Sequence, residues 1–168
     1  MVRYGAAMTR TRVVVVATLA ATLGAWWLQP DVSSTVRVTQ VADGDTITVQ
    51  GHTPNSRPET VRLLGVDTPE THHPKKGVQC FGPEASAATA EHLLGKQVTI
   101  ELGLQPKDVY GRTLARVIID GKSFSEWLVS HGYARVLIIS PNDSDARRLI
   151  ELEQQARLDK RGLWGACA

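Results

Sequence analysis

From residue 31 onward, hydrophobic and polar positions alternate in short β-branched runs, and a period of two marks strands with one buried face. Five strands are predicted, at 35–41, 46–50, 60–66, 97–102 and 114–119. Asp43-Gly44 makes a tight turn between the first two. Residues 52–59 (HTPNSRPE) and 71–77 (THHPKKG) are polar and carry prolines, so they read as exposed loops. Three helices follow from their punctuation. Gly82-Pro83-Glu84 opens the first, with proline at the first helical position and a carboxylate near the positive end; it runs to Leu94, before Gly95. Ser123 with Glu126 forms a capping box for the second, which Gly132 closes. The third begins near Asp143 and ends at Lys160-Arg161-Gly162. Its apolar side carries Leu149, Ile150, Leu152 and Ala156.

Five strands with one helix between the third and fourth, and further helices after the fifth, predict a mainly β fold with α: a five-stranded OB-fold barrel with three helices against it. No internal repeat or low-complexity stretch interrupts this order. The reading is therefore one domain at 36–168, behind a short polar linker at 31–35.

Composition sharpens the picture mainly at the N-terminus. The 168 residues include 19 Lys+Arg and 17 Asp+Glu, a formal charge of +2, and 42% are hydrophobic. These figures exclude a disordered polar tail, a collagen-like repeat and a disulfide-dense mini-protein. Residues 1–30 hold Arg3, Arg10 and Arg12 but no acid, so the remainder carries one more acid than base. The arginines precede an uncharged run at 13–28 (VVVVATLAATLGAWWL), the pattern of an N-terminal signal peptide or signal anchor. The domain is accordingly expected outside the cytoplasm, secreted or membrane-anchored, touching a membrane only through this segment if it is uncleaved. The two cysteines, Cys80 and Cys167, belong to the exported part, and a disulfide between them is expected over two free thiols. A zinc site is poorly supported: there is no CxxC, and His72-His73 are adjacent.

The candidate chemistry lies in two stretches. VADGDT (41–46) sets Asp43 and Asp45 around a glycine, and VRLLGVDTPE (61–70) holds Arg62 within a strand and Asp67 and Glu70 where it ends. If these strands pair, Asp45, Asp67 and Glu70 converge at one end of the barrel. Hard oxygen ligands of that kind suit Ca²⁺ or Mg²⁺. Pro69 pushes Thr68 toward an extended backbone, which leaves its carbonyl free as a further ligand. In DVYGR (108–112), Arg112 joins Arg62 as the second half of a bidentate phosphate clamp. A cation, a carboxylate beside water and two arginines are the parts that phosphodiester hydrolysis needs. Each motif alone is more often an ordinary turn or solvated surface.

Together, VADGDT, VRLLGVDTPETHHPKKG, FGPEAS, DVYGR, DGKSF and HGYARV, in this order and spacing, resemble the staphylococcal nuclease (thermonuclease) family over roughly residues 38–164. The resemblance implies an OB-fold nuclease that uses one Ca²⁺ ion, hydrolyses single-stranded or frayed DNA and RNA, and leaves 3′-phosphate ends. It implies Asp45, Asp67 and the Thr68 carbonyl as metal ligands, with Asp43 in the outer shell. Glu70 is implied as general base or as the group that orients the attacking water. Arg62 and Arg112 are implied as binders of the scissile phosphate, and Tyr110 as a hydrogen-bond donor to a terminal phosphate. Lys75 and Lys76 are left to steer the polyanion. A monomer is expected.

The chain departs from the family pattern at Val109, where the staphylococcal enzyme has a phosphate-contacting lysine. It departs again at Leu137-Ile138-Ile139-Ser140, which replaces a segment with two tyrosines and is one residue shorter. Stacking contributes roughly 1 to 3 kcal/mol per base, so these changes bear on affinity and base preference more than on hydrolysis. The alternative function is a non-catalytic OB-fold module that binds nucleic acid. Members of that kind usually lack the catalytic acids or arginines, all of which this chain retains.

Overall fold

The computed structural model describes residues 33–51, 57–71 and 77–167. Residues 1–30, expected to direct export, and His72-His73, Lys75 and Lys76 lie outside the described residues.

Strand β1 (Ser33–Asp43) pairs through its first half with β5 (Gln97–Lys107) and through its second half with β2 (Thr46–Val49), all antiparallel. It begins within the stretch expected to be a linker, because Ser33 to Arg37 find ladder partners in β5. Two register shifts in its second half let one strand serve both neighbours. Strand β3 (Glu59–Leu63) pairs with β2, and β6 (Thr113–Ile119) with β5. A parallel pairing of β3 with β6, Val61 opposite Thr113, closes the five strands into a barrel.

The strand expected at 60–66 is broken. Gly65 takes a left-handed φ of +81°, and the Leu64 carbonyl accepts a hydrogen bond from the buried Ser125 hydroxyl at 2.8 Å. The chain therefore leaves the barrel, and β4 (Val66–Asp67) pairs instead with β8 (Arg135–Val136). A two-residue strand β7 (Lys122–Ser123) extends β6.

Helix α1 (Gly82–Leu93) has proline in its first turn, as predicted. In α2 (Phe124–Ser130) the Ser123 hydroxyl accepts from the Glu126 amide, and Gly132 follows at φ +74°. Helix α3 (Ala146–Leu158) starts later than Asp143, with Asp145 at its N-cap position but making no side-chain cap. That carboxylate pairs with Arg116 of the barrel at 3.1 Å. After Lys160, itself at positive φ, a short α4 (Leu163–Ala166) completes the fold.

The inward faces of the strands put Val36, Val38, Ile47, Val49, Val61, Leu63, Val98, Ile100, Ala115 and Val117 in one core. Leu93 of α1, Phe124 and Leu128 of α2, and Leu149 of α3 plug its open sides. Each large side chain buried there contributes about 1.5–3 kcal/mol to the stability of the frame beneath the acids and arginines. Cys80 and Cys167 are disulfide-bonded, with their Cα atoms 6.0 Å apart.

Candidate active site

The turn between β1 and β2 carries Asp45, which is buried. Its Oδ2 lies 2.5 Å from Nη1 of Arg62, a β3 residue whose partner across the ladder is Thr46. The Thr68 amide donates to the same oxygen at 2.8 Å, and the Thr46 hydroxyl donates to Oδ1 at 3.1 Å. The other end of the guanidinium donates to Asp67 Oδ1 at 3.0 Å. Asp43 accepts a hydrogen bond from the Asp45 amide at 3.3 Å. One arginine thus stands among three carboxylates.

The turn is held from behind. Thr89 of α1, fully buried, donates its hydroxyl to the Gly44 carbonyl at 2.7 Å. A Cβ on Gly44 would sit 2.7 Å from the Thr68 methyl carbon, so only glycine lets the two segments close on each other. Thr89→Val keeps the shape and strands that carbonyl, at an expected cost of about 1–3 kcal/mol. Chemical denaturation checks this, and Thr89→Ser is expected to recover most of the loss.

Burial pushes the Asp45 carboxyl up, from an ordinary 3.8 to about 7, and the Asp43 charge adds to the rise while Arg62 and the Thr68 amide oppose it. Without a cation, the fold therefore binds a proton that the unfolded chain has already released. This contribution to stability is fully present below the unfolded value and is lost as pH rises through about 7. Melting temperatures taken in chelator on either side of that pH are expected to fall more on the alkaline side for the natural protein than for Asp45→Asn.

The second arginine is positioned locally. Asp108 Oδ2 accepts from Arg112 Nε at 2.7 Å, and its Oδ1 accepts the amides of Tyr110 and Arg112, both at 2.9 Å. Burial works upward on this carboxyl, but the Arg112 side chain and the two amides outweigh it and hold it below its ordinary range. Tyr110 is exposed, and the Arg112 guanidinium carbon lies 5.5 Å from its ring centroid.

Arg62 and Arg112 line the same cleft of about 300 Å³, together with Tyr110, Leu137, Ile139 and Asn142. A larger hollow of about 540 Å³, between the β6–β7 turn and α2, contains none of the acids or arginines described above. Glu70 follows the buried Thr68 and Pro69 and is half-buried. Its backbone is tied to Gln79, and among the described residues no hydrogen bond or ion pair runs from its side chain to Asp45, Arg62 or Asp67.

Among the described residues no three His, Cys, Asp or Glu side chains gather at metal-ligand spacing. The donor set nevertheless fits a hard cation. Asp45 is a buried carboxylate short of positive charge, and Asp67 shares its single arginine. Such a group binds an ion through few protein oxygens and completes the shell with water.

A family model for staphylococcal nuclease homologues matches residues 60–166. The chain belongs to the staphylococcal nuclease family. It is 40% identical over 130 residues to a thermonuclease of Staphylococcus hyicus, covering 77% of this chain and 75% of the relative. It is 39% identical over 127 residues to a thermonuclease of Staphylococcus intermedius, covering 76% and 74%. To the endonuclease YncB of Bacillus subtilis it is 39% identical over 131 residues, covering 77% of this chain and 61% of that one. The protein is a hydrolytic nuclease acting on nucleic acid.

In this nuclease the matched stretch takes in Arg62, Asp67, Thr68, Glu70 and Arg112 and begins after Asp43 and Asp45. Strand pairing, not sequence neighbourhood, brings those two acids to the site. Two residues were missed by sequence reasoning. Asp108 had a legible signal, an aspartate followed by the backbone amides of a tight turn. Thr89 had none, because a threonine inside a helix announces no distant partner.

Proposed function

We propose that this nuclease is an exported, calcium-dependent phosphodiesterase that hydrolyses single-stranded or frayed DNA and RNA and leaves 3′-phosphate ends. The single observation that carries the reading is that Arg62, tied to two carboxylates, and Arg112, tied to a third, open on one cleft. Asp45, Asp67 and the Thr68 carbonyl would hold the ion, with Asp43 behind them. When bound, a calcium ion supplies positive charge to the phosphate and to nearby water.

The protein's own groups supply the rest. Arg62 and Arg112 bind the phosphate oxygens, and their fixed charges match the negative charge that grows there as the phosphorus is attacked. Glu70 orients a water and takes its proton. Attack by that water breaks the bond to the 5′ oxygen, which leaves as a hydroxyl after taking a proton from solvent, and the phosphate stays on the 3′ oxygen. Tyr110 stands at the cleft's rim to meet a terminal phosphate, and Leu137 and Ile139 offer the adjacent base an aliphatic wall. Residues 1–30 direct export, a context in which the Cys80–Cys167 bridge persists. The nuclease acts as a monomer.

The test is hydrolysis of single-stranded DNA in calcium and in excess chelator. Activity confined to calcium is expected, and equal rates would remove the metal assignment. Binding in calcium without cleavage would favour the non-catalytic module.

A further inference from the structure

Glu70 follows closely on Asp67 and Thr68, which belong to the acid and arginine network. Its backbone has a second attachment of its own, to the segment that leads into α1. Gln79 grips the Glu70 backbone from both directions: its side-chain oxygen accepts the Glu70 amide at 3.0 Å, and its own amide donates to the Glu70 carbonyl at 2.9 Å. The Gln79 carbonyl then accepts the Gly82 amide at 3.0 Å, where α1 begins. Gly82 packs so closely that a Cβ there would lie 2.6 Å from the Glu70 carbonyl oxygen and 3.0 Å from that of Pro69. Between Gln79 and Gly82 stands Cys80, bonded to Cys167 beyond α4.

We infer that Gln79, anchored by the Cys80–Cys167 bridge, is a positioning residue for Glu70: it sets where the carboxylate's backbone stands without touching substrate. The inference rests on the reading of Glu70 as the group that handles the attacking water. The physical reason is the steep dependence of rate on placement. A general base works only within hydrogen-bond reach of its water, and a shift on the order of 1 Å can cost roughly 10²-fold. A segment held by both its backbone groups and by a packed helix start does not drift in this way. The bridge contributes by tethering Cys80, the residue next to Gln79, to the C-terminal segment.

The role is distinguishable from a general stabilising one. Gln79→Met keeps length and bulk and removes the acceptor; Gln79→Glu keeps an acceptor oxygen at the same reach. Initial rates of hydrolysis of single-stranded DNA in calcium, at a temperature where circular dichroism shows every variant folded, give kcat and KM separately. Gln79→Met is expected to lower kcat about 10-fold with KM within about two-fold, and Gln79→Glu to recover most of the rate. Cys80→Ser/Cys167→Ser is expected to show the same split, a fall in kcat at unchanged KM. Because Gln79 acts through Glu70, Gln79→Met is expected to have no further effect on the residual rate of Glu70→Gln.

The inference is overturned if Gln79→Met keeps the natural kcat while Glu70→Gln is crippled. It is equally overturned if Gln79→Met lowers the residual rate of Glu70→Gln by the same factor as in the natural protein. A natural kcat in Glu70→Gln would overturn the reading of Glu70 itself, and the inference with it.

Discussion

Arg62→Ala is expected to cost the fold about 3–5 kcal/mol at alkaline pH, where it leaves an ionised Asp45 buried without its ion-pair partner, and less where Asp45 takes up a proton. It is also expected to lower kcat by about 10²-fold or more, through loss of one donor to the phosphate in the transition state. The two effects have different origins and separate by comparison with Arg112→Ala. Arg112 is a third exposed and its partner Asp108 keeps two backbone amides, so its removal strands no buried charge. Arg112→Ala is therefore expected to show the kinetic loss with little change in stability. Denaturant midpoints and turnover measured on both variants check the contrast. Similar midpoints would show that Asp45 is not held by Arg62, and natural turnover in both would remove the phosphate clamp.

The second large effect concerns the bridge between Cys80 and Cys167, which closes a loop spanning a sequence separation of 87. In the chain-entropy account a loop of this length restricts the unfolded ensemble by roughly 4–5 kcal/mol. The bridge also ties the start of α1 to the end of α4, so its loss releases the C-terminal tail from the barrel side. Reduction of the purified domain is expected to lower its melting temperature markedly. Alkylation without reductant is expected to leave the mass unchanged, and two added alkyl groups would show that the cysteines are free in the protein.

What was legible in the sequence follows a physical line. The barrel strands and α2 were readable because β-branched alternation, a capping box and a closing glycine are local signals, and the core packing agrees with them. The misplaced boundaries were set by partners distant in sequence. The strand at 60–66 breaks because Ser125, on a helix far along the chain, takes the Leu64 carbonyl. At α3, Arg116 engages the carboxylate of the N-cap residue Asp145, which leaves the helix without a side-chain cap. The same distinction runs through the site. Asp45, Asp67, Arg62 and Arg112 could be named from motifs, but the pairing of Arg62 with both acids depends on strand register. Glu70 has in addition a backbone attachment to Gln79 that no motif announces.

The parallel contact of β3 with β6 has a consequence for how activity is acquired. β1 to β3 form one antiparallel run carrying Asp43, Asp45 and Arg62, while Arg112 immediately precedes β6 in the β5–β6 hairpin, which adjoins that run along the first half of β1. Only the seam, Val61 to Thr113 and Arg62 to Leu114, brings the two arginines to one cleft. A chain with both hairpins formed and the seam open would hold most of its strand content and no phosphate site. During refolding, the return of hydrolysis therefore times the closing of the barrel, an event that backbone spectroscopy registers only weakly.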